Sequence, residues 1–239
     1  MFASHGIPVW FHWIGRPVLP VFLFLCAEAF WYTSGRFRYI GRLFIGYVFM
    51  FICNFLLSNY LYIENVELIN NVFQTLLLAA FYMLCIEMLR TGINEKKVKK
   101  ITFSVLLMLL PIINSILFIM LMNYLPYQLI GVWRFIPNLF LVEGGFSAVI
   151  LGVLFYLFRK KRLVQVFIVA GFSVLSLILK LLQGTGLFGN DPQWLLIFTV
   201  IFIILYNGKR GRGNKYFFYI FYPAHIYLFY IIAWFLFKM

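Results

Sequence analysis

The stretch at residues 101–122, ITFSVLLMLLPIINSILFIMLM, runs its whole length without a charged side chain. A helix of that length rises about 33 Å, enough to cross the roughly 30 Å hydrocarbon layer of a bilayer. The run does not alternate apolar with polar residues, as a strand of a membrane barrel would. Working outward, the same reading applies to residues 17–33, 41–62, 71–90, 139–158, 163–182, 193–206 and 216–237. The sequence therefore predicts an all-α fold: a polytopic integral membrane helical bundle of about eight transmembrane helices. Residues 1–239 read as a single transmembrane domain, with no internal repeat and no low-complexity linker.

Composition supports this. Of 239 residues, 64% are apolar and only 11% charged, and 30 are Phe. Mean hydropathy is +0.95. A soluble domain of this size still exposes about a quarter of the surface its unfolded chain exposes, so it could not hide so much apolar area. This excludes a soluble enzyme, a DNA-binding domain and a disordered chain. The net charge of +13 therefore points to membrane orientation rather than to nucleic acid.

The basic residues cluster in alternate loops. Arg36, Arg38 and Arg42 follow the first span. Arg90, Lys96, Lys97, Lys99 and Lys100 follow the third. Arg159, Lys160, Lys161 and Arg162 follow the fifth, and Lys209, Arg210, Arg212 and Lys215 follow the seventh. The intervening loops carry Glu64 and Glu67, then Arg134, then Asp191. The positive-inside rule makes the basic loops cytoplasmic and places both termini of this chain outside. Residues 1–16 carry Trp10, His12, Trp13 and Arg16 and no apolar run of the signal-peptide kind.

Ionisable groups inside spans are costly and mark functional candidates. They are Glu28, Glu87, Glu143, Lys180 and His225, with Asn54, Gln74, Thr75 and Asn114 as uncharged companions. His225 is the best placed, in Tyr219-Ile220-Phe221-Tyr222-Pro223-Ala224-His225. Histidine takes or gives a proton near neutral pH. Tyr222, three residues away, shares its helix face, and Pro223 removes a backbone donor. Each candidate also has a plain structural reading. His225 would bond a neighbouring helix. Glu28 would pair with Arg36, Arg38 or Arg42, and Glu87 with Arg90. Lys180 would reach outward to water. Arg16, just before Pro17, sits at the outer mouth of the first span. The glycine-rich basic loop at residues 207–215 is either a positive-inside anchor or a phosphate cradle, although it lacks P-loop spacing. Cys26, Cys53 and Cys85 read as small core residues, and no metal-ligand spacing appears.

Three stretches together resemble the TraX family of membrane acyltransferase-like proteins. The first begins Gly15-Arg16-Pro17 and continues through Ala27-Glu28-Ala29-Phe30 and Thr33 to Tyr39 and Arg42-Leu43. The second is Asn71-Val72-Phe73-Gln74-Thr75-Leu76. The third runs from Asn207-Gly208 through Lys215 to Phe218-Tyr219 and Tyr222-Pro223-Ala224-His225. Ala29 stands where the family usually has Gly. The family also carries an Asp-His pair upstream of the Gly-Arg motif, where this chain has Ser4-His5. A helix bearing that pair would make nine spans and start the chain inside.

The resemblance implies transfer of an acyl group, typically acetyl from acyl-CoA, within the cell membrane. The named member is linked to acetylation of conjugative pilin, so the acceptor would be an amine or hydroxyl of a peptide or a cell-surface glycan. His225 would be general base, Tyr222 would orient it, and Glu28 would fix a cation or an imidazole. Arg16, Arg36, Arg42, Lys209, Arg210 and Lys215 are the candidate cations for the donor's phosphates. Two other classes remain: a small-solute transporter and a non-catalytic scaffold of a conjugation-type apparatus. The lack of inverted repeats weighs against the transporter.

Overall fold

The computed structural model describes residues 10–63, 68, 71–126, 133, 135–184, 192–209 and 216–238. Their helices are α1 (Trp10–Gly15), α2 (Val18–Tyr32), α3 (Arg36–Tyr60), α4 (Val72–Asn94), α5 (Val98–Leu121), α6 (Gly145–Leu157) and α7 (Arg162–Leu182). A 3₁₀ turn (Gln193–Phe198) then leads into α8 (Thr199–Leu205), and α9 (Phe217–Lys238) follows.

The helix α4 is central. It is buried on every side from Val72 to Ala80, with Met83 and Cys85 beyond. The apolar window of α4 is 67% buried inside the protein, against 17–39% for the other five long helices. A helix apolar all round belongs inside a bundle, and α2, α3, α5 and α6 pack against it. The large Phe and Tyr side chains fill the joins. Phe24 meets Phe155 edge-on at 5.7 Å, and Phe73 of α4 stacks on Tyr219 of α9 at 5.6 Å.

Among the described residues, six helices are long and apolar enough to cross a membrane: residues 13–32, α3, α4, α5, α7 and α9. At the fifth and seventh expected places stand shorter apolar helices, at residues 145–157 and 193–205. The expected span at 139–158 is thus helical only from Gly145.

The reason lies in residues 135–144, an irregular segment packed among the helices. The Tyr47 hydroxyl donates to the Phe135 carbonyl at 2.8 Å. Tyr47 lies eleven residues inside α3, about 16 Å from Arg36. Asn114 donates to the Pro137 carbonyl at 3.3 Å. The Ser115 hydroxyl donates to the Pro111 carbonyl and accepts the Leu139 N–H at 2.9 Å. Thr75 donates to the Glu143 carbonyl at 3.0 Å. Irregular backbone survives at bilayer depth only where protein satisfies it, and these side chains do so. Asn138, Leu139 and Val142 are buried.

The turns after α2, α4, α6 and α8 meet at one end, the basic end. Arg36 bonds Glu87 at 2.7 Å, Arg159 and Arg162 reach Glu28, and the Tyr32 hydroxyl donates to the Gly208 carbonyl at 3.5 Å. The alternating charge pattern therefore matches the geometry.

Close approach of α6 depends on glycine. A Cβ on Gly152 would meet Leu23 Cδ2 at 2.9 Å and Ala79 Cβ at 3.0 Å, the small-residue contact typical of membrane helices. Gly152→Val should cost about 1–3 kcal/mol by overpacking. It should lower the thermal midpoint of the detergent-solubilised protein. An unchanged midpoint would mean that α6 is not clamped there.

Candidate functional site

Two polar clusters flank the aromatic core. The first is at the basic end. Glu28, 3% exposed, holds Arg159 Nε at 3.2 Å and Arg162 Nη1 at 3.1 Å. The Arg159 guanidinium lies over Trp31 and Tyr32, at 5.0 and 4.4 Å from their ring centres. The Arg162 guanidinium lies over Phe24 and Tyr206, both at 5.0 Å. Arg162 also donates to Gln165, which in turn donates to the Phe155 carbonyl at 2.8 Å. A buried carboxylate is tolerated when it is paired in this way.

This corrects two expected pairings. Glu28 binds Arg159 and Arg162 of the fifth loop, not Arg36, Arg38 or Arg42. Glu87 binds Arg36 and accepts the Tyr156 hydroxyl at 2.8 Å, and the expected Glu87–Arg90 pair is not formed. Helix crossings bring residues far apart in the chain closer than their helix neighbours. Arg42 lies over the Tyr39 ring at 5.9 Å and bonds the Tyr219 hydroxyl. Tyr39 itself donates to Cys26 Sγ at 3.2 Å.

The second cluster lies towards the other end of α2. The Tyr222 hydroxyl donates to Glu143 Oε2 at 3.2 Å and accepts the Val72 N–H. Val72 opens α4, whose first N–H groups have no partner within the helix, so Tyr222 satisfies one of them. Arg16 exerts an attractive field on the Glu143 carboxylate. The turn that presents Glu143 requires glycine next to it. Gly144 has φ +75°, and a Cβ there would meet Leu19 at 2.5 Å. Only glycine tolerates both demands.

His225 stands beside this cluster, half-buried on the flank of α9. Its ring stacks on Phe221 at 5.2 Å and meets Tyr222 edge-on at 5.3 Å. Its Nδ1 lies 2.9 Å from the Phe221 carbonyl oxygen. A carbonyl only accepts, so Nδ1 carries the hydrogen, and in the neutral ring Nε2 is the bare acceptor. The expected bond to a neighbouring helix is replaced by one within α9.

Tyr222 and His225 are thus brought side by side, although both roles of the Tyr222 hydroxyl are filled by Glu143 and Val72. Glu28 lies elsewhere, about 9 Å along α2 beyond Phe22, the residue that touches Tyr222. It binds guanidiniums rather than an imidazole. Arg16 is separated from Arg36 by the length of α2, about 22 Å. The Lys209 N–H bonds Asn207 Oδ1 at 2.9 Å. His5, Arg210, Arg212 and Lys215 lie outside the described residues. Among the described residues no group of three His, Cys, Asp or Glu is arranged to hold a metal. The sequence reading missed Arg159 and Arg162, whose only signal was a run of basic residues. It also left Glu143 without its partner.

A bundle of apolar helices with buried ion pairs and a polar cluster beside a histidine defines a multi-pass membrane protein. A family model described as TraX protein matches residues 3–233, nearly the whole chain, and the chain belongs to the TraX family. No curated protein and no solved structure matches it.

Proposed function

We propose that this chain is an integral membrane acyltransferase of the cell membrane, with its basic end in the cytoplasm. It takes an acyl group, typically acetyl, from acyl-CoA and passes it to an amine or hydroxyl of a peptide or cell-surface glycan. Family membership supports the reaction class. The observation that carries the reading is the 2.9 Å contact of His225 Nδ1 with the Phe221 carbonyl oxygen: the carbonyl only accepts, so the contact favours hydrogen on Nδ1 and leaves Nε2 as the proton acceptor of the neutral ring.

In this reading the acceptor nitrogen or oxygen attacks the thioester carbonyl. The new C–N or C–O bond forms and the C–S bond breaks. His225 Nε2 takes the proton from the acceptor and returns it to sulfur, so coenzyme A leaves as its thiol. Tyr222 acts by holding α9 against Glu143 and the start of α4. Glu28 acts by anchoring the α6–α7 turn. In this reading Arg36, Arg42 and Lys209 are the described cations that would meet the donor's phosphates, while Arg16, about 22 Å from Arg36 along α2, is too far to share that role.

The test uses the full chain in lipid nanodiscs with acetyl-labelled coenzyme A thioester. Acceptors are peptides with free N-termini and glycan fragments. Thiol release with label on an acceptor is expected. Label on no acceptor and no thiol release would overturn the reading in favour of a scaffold.

A further inference from the structure

At the basic end a cleft of about 450 Å³ opens between the α2–α3 turn and the facing ends of α4 and α5. Arg36, Arg38 and Lys100 line it, with Ser34, Glu87 and Thr91 among the remaining wall residues. From its lining and charge we infer that this cleft binds a dianionic phosphate group, carried by a soluble phosphate ester or by a lipid headgroup.

The charge count supports this. Glu87 cancels one of the three cations, through its 2.7 Å bond to Arg36. Lys100 reaches Glu95 at 3.5 Å, but Lys97 meets the same Glu95 oxygen at 3.0 Å, and these two lysines hold the Glu95 carboxyl below its usual range. Lys97 thus offsets Glu95, and two positive charges are left facing the cleft. Arg38 makes no ion pair among the described residues. Its guanidinium folds back over Gly35, where Nε would lie 2.7 Å from an added Cβ.

The backbone adds to the field. Gly35 is the N-cap of α3 and supplies no side-chain cap, and the first turn of this 25-residue helix lines the cleft, so the positive end of the helix dipole favours an anion there. The volume suits a small ligand or a phosphate with part of its carrier. That the carrier is the coenzyme A of the donor rests on the acyltransferase reading. The phosphate binding itself does not.

The probe is inorganic pyrophosphate, titrated calorimetrically against the full chain in phosphatidylcholine nanodiscs and in nanodiscs containing phosphatidic acid, whose headgroup is a phosphate monoester. Saturable binding is expected in the first. It should weaken about tenfold for Arg38→Gln and again for Lys100→Gln, fall with salt, and persist in Lys160→Gln, a change at an exposed lysine outside the cleft. If phosphatidic acid blocks pyrophosphate in the parent, the headgroup is the occupant. If it does not, the ligand is soluble. Absence of saturable pyrophosphate binding in phosphatidylcholine discs would overturn the inference. So would binding that Arg38→Gln and Lys100→Gln leave unchanged. Both variants are at the surface end of the bundle, and retained melting behaviour checks their fold. Pyrophosphate binding without acyl transfer would sink the acyltransferase reading and leave the cleft standing.

Discussion

Replacing His225 with alanine is expected to slow acyl transfer by about 10²–10⁴-fold, the usual worth of a positioned general base. The protein should still fold, because the ring is only half-buried and its hydrogen bond among the described residues is to its own helix. His225→Gln is the discriminating variant. Glutamine still donates to the Phe221 carbonyl, but it does not take up a proton at the position of Nε2. It should be nearly as slow as alanine. Near-parental transfer in His225→Gln, at unchanged thermal midpoint, would reduce His225 to a helix-packing residue and take the proposed relay with it.

Replacing Glu28 with alanine should be the most damaging single change to the fold. The carboxylate is 3% exposed and neutralises two guanidiniums held over aromatic rings. Removing one member of a buried charge pair costs about 3–5 kcal/mol, and here the penalty falls mainly on Arg159, whose side chain is 14% exposed, since Arg162 is 33% exposed. The midpoint of detergent-solubilised Glu28→Ala should fall sharply, and the added change Arg159→Met should restore part of the loss. A midpoint equal to the parent's would mean that Arg159 and Arg162 swing to water at no cost, and the cluster would then be no anchor.

The apolar runs made most of the helices legible, since 20 residues without charge have few other uses. The gathering of the basic turns at one end was legible too, because lysines and arginines collect in alternate loops whatever the helices do between them. The ion pairs were not. Glu28 and Arg159 are 131 residues apart, and nothing local distinguishes Arg159 from Arg36 as a partner. The segment at 135–144 misled for a different reason. Leu139, Phe140, Leu141 and Val142 are as apolar as any span, and composition does not report backbone angles. The signals against a helix were present in Pro137, Asn138 and Gly144-Gly145. For the site, the Tyr222–His225 spacing was legible, since both lie on one helix. The link from Tyr222 to Glu143 joins two segments that only the fold brings together.

That irregular segment also constrains the order in which the chain is assembled. The carbonyl of Phe135 is satisfied by Tyr47, 88 residues earlier, and at ordinary synthesis rates of 5–20 residues per second the tyrosine waits roughly 4–18 s for it. The earlier helices are therefore a prepared socket when residues 135–144 emerge. Tyr222 follows 79 residues after Glu143 and closes the arrangement. The segment has no stable state alone in lipid, so its insertion is a step of tertiary folding rather than of membrane partitioning. A chain cut after α6 would hold the segment in its socket, but without the final latch.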